Sequence, residues 1–313
     1  MIDVVILFFL LGLFAGLARS ELKLPAELYD SLSIFLLLAI GLKGGEGLAT
    51  QALGPLVPQL FAVIALGVLQ TLLGFFLLAR IGRLARADAA SLAAHYGSVS
   101  VATFAVGANW LISRDIAFEP QMAIFLAVME VPAILVGIVL ARGLRKDTDW
   151  KGLAHESFLG KGVTLLLGGM AIGWIAGPEG LQPIKGLFHD LFKGALALFL
   201  LEMGLIVSRQ TGEIRRRGAF IVGFGVAMPM LSACLGLACG ALLGLSVGGM
   251  TLLATLAASA SYIAVPATMR IAVPEANPAL SLAAVLGVTF PLNILVGIPF
   301  YHQLALKLTG AMS

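Results

Sequence analysis

The chain has 313 residues, of which 59% are hydrophobic and only 12% are charged. A water-soluble domain carries about a quarter charged residues, because water must wet its surface. Here the apolar residues form blocks of about twenty, the length that spans a hydrocarbon core. The composition therefore excludes a soluble globular protein. It predicts an all-α membrane protein, since an open strand or loop facing lipid would leave backbone groups unsatisfied.

The blocks predict about ten transmembrane helices in two sets of five. They fall at about residues 2–18, 27–42, 55–79, 88–108, 119–141, 157–177, 185–207, 218–246, 249–270 and 279–308. We expect a first five-helix repeat at 1–141, a cytoplasmic connecting loop at 142–156 and a second repeat at 157–313. The start Met1-Ile2-Asp3 has an acid where a cleavable signal has basic residues, so the first block is predicted to be a retained helix.

Positive charge is distributed unevenly between the predicted loops. With the N-terminus outside, the outer loops hold Lys43, Arg114, Lys185 and Lys307. The cytoplasmic loops hold 14 basic residues, Arg19, Lys23, Arg80, Arg83, Arg86, Arg142, Arg145, Lys146, Lys151, Arg209, Arg215, Arg216, Arg217 and Arg270. The positive-inside rule predicts a multi-pass protein of the inner (plasma) membrane with both termini outside. Topology also accounts for the net charge of +3 without nucleic-acid binding.

Five helices on each side of the connecting loop indicate an inverted repeat, because an odd number reverses the orientation of the second half. Short matches between the halves agree with this prediction. Blocks four and nine contain runs of small and hydroxyl residues, and blocks five and ten contain Pro132 and Pro291 followed by similar apolar segments.

Blocks four and nine are unusual for lipid-facing helices. Block four contains Gly97, Ser98, Ser100 and Thr103, and block nine contains Ser259, Ser261, Tyr262 and Pro266. We expect both helices to be broken near the membrane midplane, with half-helix N-termini that bind an anion and hydroxyls or carbonyls that bind a hard cation such as Na⁺. The alternative is that small residues simply allow close helix packing.

Two ionisable residues within the blocks are candidates for function. Glu130 lies in mid-block before Pro132, where a charge costs several kcal/mol unless it is paired or hydrated. Its alternative role is that of a protonated or water-bonded structural acid. His95 adjoins the polar run of block four and could bind a ligand, gate or titrate, although a packing or hydrogen-bonding role is commoner for a lone histidine.

No catalytic motif is evident in the sequence. It has no HExxH, GxSxG, glycine-rich phosphate loop or Cys/His metal spacing, and no nucleophile is paired with a base. We therefore expect a protein that is not an enzyme.

Several stretches resemble the cyanobacterial-type sodium-dependent bicarbonate transporter family. They are AASAS at 257–261, PATMRIAVPEANP at 266–278, GSVS at 97–100, EVPA at 130–133 and IGLKGG at 40–45. The order and spacing of these stretches match nearly end to end, and 266–278 is the most specific of them. The resemblance implies a ten-helix, five-plus-five inverted repeat that forms a homotrimer and imports bicarbonate with Na⁺.

The resemblance also implies the binding residues, at the crossing of the broken fourth and ninth helices. For the substrate they are Gly97, Ser98, Val99, Ser100, Thr103, Ser259, Ala260, Ser261 and Tyr262. For the cation they are Ser100, Glu130, Ser261 and Thr289, and beyond Na⁺ we expect no metal or cofactor.

The sequence departs from the family pattern at several places, among them Val99 and Val101, where members have a further small or hydroxyl residue. Family members have an aspartate where Tyr262 stands, and Glu130 replaces another family aspartate. The connecting segment is also shortened to about fifteen residues, which leaves regulation by a PII-like partner protein open.

We therefore expect a secondary transporter of a small anion in the lipid membrane, with sodium-dependent bicarbonate import as the leading hypothesis. One alternative is a sodium- or proton-coupled transporter of an organic anion on the same architecture. The other is a membrane sensor or scaffold that binds its ligand without transporting it.

Overall fold

A computed structural model describes residues 3–50, 54, 56–143, 152, 155 and 159–310, without the side chains of 211 and 213–217. All regular secondary structure within these ranges is helical. We number its helices α1 (Val4–Leu17), α2 (Ala26–Leu48), α3 (Leu56–Ile81), α4 (Arg86–Gly97), α5 (Val101–Ile112), α6 (Met122–Arg142), α7 (Lys161–Leu181), α8 (residues 192–217), α9 (Gly218–Leu242), α10 (Val247–Ala258), α11 (Ala264–Ala272) and α12 (Pro278–Leu308).

Six helical stretches within the described residues are long and apolar enough to cross a membrane. They are α2, α3, the α4–α5 stretch Arg86–Ile112, α6, α9 and α12. Helices α1 and α10 are apolar but shorter than a full span. The chain is therefore a multi-pass membrane protein by the length and composition of its helices. The predicted count of ten spans also requires α1, α7, α8 and the α10–α11 segment to cross the membrane.

Two helices continue well beyond their predicted ends. Helix α2 continues to Leu48, beyond the predicted end at residue 42, and α8 continues to residue 217, beyond 207. The extension of α8 contains Gln, Glu and Arg, which are good helix formers. The extension of α2, residues 43–48, contains glycines instead, and Gly45 and Gly47 pack closely on Met170 and Pro120. At Gly218 the backbone takes a φ of 83°, which favours glycine and separates α8 from α9. Most of the predicted connecting loop lies outside the described residues.

Helices α1, α2, α7 and α8 form one bundle through close contacts at glycines. Helix α1 packs on α8, and α2 packs on α7. A Cβ atom at Gly45 would overlap the carbonyl oxygen of Met170, and one at Gly173 would overlap that of Leu42. Small residues four apart allow two helix backbones to approach this closely in a membrane. This arrangement, which we call the glycine bundle, is therefore tightly specified by its sequence.

The remaining helices form a second bundle around α10. Every residue of α10 from Gly248 to Ala258 is buried, and the helix packs on α9, α5 and α12. Helix α4 is buried from Ala89 to Gly97 against α3 and α6. We call this second group the core bundle. It contains both segments in which the sequence predicts the binding site.

Candidate functional site

The helical backbone stops between α4 and α5. Helix α4 ends at Gly97, and Ser98 takes an extended conformation with φ −91° and ψ −178°. Ser100 is also extended, and its Oγ accepts a hydrogen bond at 3.2 Å from the backbone N–H of Thr103. Serine is a preferred N-cap because its side chain satisfies an N–H group that the helix cannot. Ser100 therefore starts α5 immediately after the interruption.

A similar interruption separates α10 from α11. Helix α10 ends at Ala258, and Ser259 is extended with φ −75° and ψ 170°. Ser261 Oγ accepts a hydrogen bond at 3.4 Å from the backbone N–H of Val265, in the first turn of α11. Each interruption thus has a serine at its start and a second serine two residues later that bonds the next helix.

The two interruptions are in direct contact. The backbone N–H of Ser100 donates to Ser259 Oγ at 2.9 Å, and the N–H of Ser261 donates to the carbonyl of His95, also at 2.9 Å. His95 Nδ1 donates in return to the carbonyl of Ser261 at 2.5 Å. All four residues are at least 97% buried. The core bundle therefore brings the two polar runs together. The hydrogen bonds between them use backbone groups that the interruptions leave without a partner inside a helix.

Two side-chain amides complete the end of α10. Gln70 Nε2 on α3 donates to the carbonyl of Ala257, and Asn293 Nδ2 on α12 donates to that of Ala258, both at 2.8 Å. Asn293 Oδ1 accepts a hydrogen bond from the Tyr301 hydroxyl at 2.6 Å. Carbonyls at a helix end need such partners when they are buried. Gln70 and Asn293 are not among the predicted site residues, although an uncharged amide within an apolar block is a recognisable signal in the sequence.

Other predicted site residues lie in or near the contact. Gly97, Val99, Thr103 and Ala260 are buried beside it. The Tyr262 hydroxyl is buried close to Ser100 but makes no hydrogen bond with acceptable geometry among the described residues. Its ring packs edge-on against Phe290, with 5.7 Å between the ring centroids.

Thr289 is placed differently from the other predicted cation ligands. Its hydroxyl donates to the carbonyl of Gly225 at 2.8 Å and bonds the Tyr96 hydroxyl at 2.7 Å. Among the described residues, no hydrogen bond links it to Ser100, Ser261 or Glu130. The structure therefore does not join Thr289 to the other three through a hydrogen bond.

A cavity of about 380 Å³ lies between the glycine bundle and the core bundle. Three helix starts contribute to its wall, Val101 and Ala102 of α5, Ile263 and Ala264 at the beginning of α11, and residues 160–163 at the beginning of α7. The first N–H groups of a helix have no partner inside it, and its dipole places about half a positive charge at that end. The cavity wall therefore presents the positive ends of three helices, and we call this space the inter-bundle cavity.

The charged residues of the inter-bundle cavity are few. Glu130 lies on the core-bundle side, 7% exposed, and its carboxylate approaches Gly162 at the start of α7. Lys161 and Asp30, on the glycine-bundle side, form an ion pair with Nζ 3.4 Å from Oδ1. Among the described residues no ion pair involves Glu130. Its carboxylate is therefore available to a bound cation or proton.

The Ser259→Ala variant tests the contact between the interruptions. It leaves the buried N–H of Ser100 without its acceptor, which costs about 1–3 kcal/mol. We expect a lower midpoint of thermal unfolding, measured on the purified protein in detergent. The Ser31→Ala variant is the control, because Ser31 is exposed and, among the described residues, its Oγ bonds only the carbonyl of Glu27 in its own helix. Equal midpoints for the two variants would contradict the assigned contact.

Comparison with known proteins identifies a family. No curated protein matches the chain. The family model described as the Na⁺-dependent bicarbonate transporter superfamily matches residues 4–306, nearly the whole chain. Membership implies transport rather than catalysis, in agreement with the absence of catalytic motifs. The chain belongs to the Na⁺-dependent bicarbonate transporter superfamily.

Proposed function

We propose that the protein is a secondary transporter that imports a small anion, bicarbonate, together with Na⁺. The observation that carries the proposal is the inter-bundle cavity, where the starts of α5 and α11 meet. An anion placed there would be held by backbone N–H groups and helix dipoles, as in other transporters with interrupted helices. Glu130 would supply negative charge for the cation, and family membership supports both ions.

The proposal includes ten membrane-spanning segments arranged as a five-plus-five inverted repeat. The α4–α5 and α10–α11 segments would be its broken fourth and ninth members. Helix pairing supports this arrangement, because α1 packs on α8 while α2 packs on α7. Exchanging the two halves converts one of these pairs into the other. A homotrimer in the plasma membrane, with both termini outside, completes the proposal.

Uptake by proteoliposomes tests the function directly. We expect labelled bicarbonate to accumulate when an inward Na⁺ gradient is imposed and to remain low without it or in protein-free vesicles. A sensor or scaffold would instead show saturable binding without accumulation. That result would exclude the proposed transport.

The positive-inside asymmetry predicts which loops are accessible from outside. Cys234 and Cys239 are first replaced, and single cysteines are then introduced as Arg80→Cys and Lys185→Cys, both at exposed positions. A membrane-impermeant maleimide added to intact cells should label the cysteine at 185 and not the one at 80. Labelling at 80 alone would reverse the proposed orientation.

The Tyr262→Asp variant tests how the cation is held. Tyr262 stands beside Ser100 at the contact between the interruptions, where a carboxylate would lie among buried hydroxyls. Carboxylate oxygens are strong ligands for hard cations, so the Na⁺ concentration for half-maximal uptake should fall. The Tyr262→Asn variant is matched in size but uncharged. If both variants respond to Na⁺ equally, the cation is bound elsewhere.

One observation favours a second candidate, transport of an organic anion. The inter-bundle cavity has a volume within the range of about 300–1,000 Å³ that holds organic ligands. Apolar side chains form much of its wall, including Leu36, Leu37, Ile134 and Phe199. Uptake of a labelled carboxylate with an apolar tail, in vesicles that do not accumulate bicarbonate, would select this candidate.

A further inference from the structure

A second cavity, of about 320 Å³, lies on another face of α11. We call it the His95 cavity. Ser91 and His95, four residues apart on one face of α4, form one side, and Met269 and Arg270 of α11 form the other side together with Val273, which follows the end of α11. Its lining includes neither Glu130 nor the starts of α5 and α11. It is therefore distinct from the inter-bundle cavity.

The chemistry of the His95 cavity is set first by the histidine. The ring is 1% exposed, and Nδ1 donates to the carbonyl of Ser261 at 2.5 Å. A carbonyl only accepts, so Nδ1 carries a proton. In the neutral ring the other nitrogen, Nε2, is then an acceptor. A ligand that meets Nε2 must therefore offer a hydrogen-bond donor.

The second determinant is an arginine whose charge is not neutralised nearby. Within the described part of the chain, Arg270 makes no hydrogen bond or ion pair. The cavity lining contains no carboxylate. The nearby acids are engaged, since Glu275 pairs with Arg142 at 3.8 Å and Asp88 accepts the backbone N–H of Asn277 at 2.7 Å. The cavity thus offers a positive charge for an anion.

We propose that the His95 cavity binds a small oxyanion that carries a hydroxyl group, of the class of hydrogen carbonate and hydrogen phosphate. Arg270 attracts the charged oxygens, because guanidinium groups bind oxyanions strongly. His95 Nε2 accepts a hydrogen bond from the hydroxyl group of the anion. The bound anion therefore contacts the same imidazole ring that donates to the carbonyl of Ser261. Occupancy of the His95 cavity is in this way coupled to the contact between the interruptions. The site is additional to the proposed transport site and does not depend on it.

Calorimetric titration of the purified full-length protein with inorganic phosphate and with sulfate at neutral pH tests this site. Phosphate carries a hydroxyl at this pH and sulfate does not, so phosphate should bind more tightly. The Arg270→Gln variant should weaken binding of both anions about tenfold, the scale of one charge-assisted hydrogen bond. Arg80→Gln removes an equal charge from an exposed position on α3 and should leave both affinities unchanged.

The His95→Asn variant separates the two roles of the ring. The asparagine Nδ2 can still donate to the carbonyl of Ser261, but the shorter side chain has no acceptor at the position of Nε2, so the preference for phosphate over sulfate should disappear. Displacement of phosphate by bicarbonate would identify the transported anion as the occupant, and its failure would identify a phosphate compound. Phosphate binding that is absent, or is unaffected by both Arg270→Gln and His95→Asn, would overturn the proposal.

Discussion

The Gly173→Leu variant is expected to lose much of its stability, because Gly173 lies where the backbones of α7 and α2 are in close contact. Any Cβ atom at this position would overlap the carbonyl oxygen of Leu42, a backbone atom that cannot turn aside. The two helices would have to separate, and overpacking of this kind costs about 3 kcal/mol or more. The midpoint of thermal unfolding should fall by more than about 6 °C, measured by size-exclusion chromatography after heating.

Gly168 provides a matched control on the same helix. It is exposed, and a Cβ atom there would meet nothing within 4 Å. The Gly168→Leu variant therefore adds the same side chain without moving a neighbour and should retain the midpoint of the parent protein. A protein that tolerates leucine equally at both positions would show that the α2–α7 contact is not as close as described.

The sequence predicts the helical class and the location of the interruptions because both depend on local chemistry. Apolar blocks must be helical in lipid, and Ser100 acts as an N-cap with its nearest neighbours alone. The family model independently supports the resemblance drawn from the motifs, over residues 4–306. These features could be predicted because each is written within a few consecutive residues.

Other features depend on residues far apart in the chain, which a single sequence does not pair. The amides of Gln70 and Asn293 bond the end of α10 across separations of 187 and 35 residues. The placement of Thr289 beside Tyr96 likewise depends on how α12 packs on α4. Glycines such as Gly45 and Gly173 are visible in the sequence, but their partners are not. Long-range packing therefore determines which residues contact one another, and the local sequence pattern does not predict these contacts.

The Glu130→Gln variant has the largest expected effect on transport. The carboxylate lies in the inter-bundle cavity, is 7% exposed and belongs to no ion pair among the described residues. Glutamine has the same shape but no charge, so the hydrogen bond between Ser98 Oγ and the backbone carbonyl of residue 130 can persist. Folding should therefore be retained. Glu27→Gln, in the exposed first turn of α2, is the control for loss of one negative charge.

Uptake driven by a Na⁺ gradient should fall at least tenfold in Glu130→Gln, for an electrostatic reason. Two unit charges 4 Å apart interact by about 4 kcal/mol at an effective dielectric constant of about 20, and a loss of only about 1.4 kcal/mol lowers an affinity tenfold. The helix ends of α5 and α11 repel a cation, so without Glu130 the cation would face an unfavourable field. The half-saturating Na⁺ concentration should accordingly rise in the variant and not in Glu27→Gln. If uptake by Glu130→Gln depends on Na⁺ concentration as steeply as uptake by the parent protein, Glu130 does not bind the coupling ion. In that case hydroxyls and carbonyls of the interruptions would have to bind it without a carboxylate.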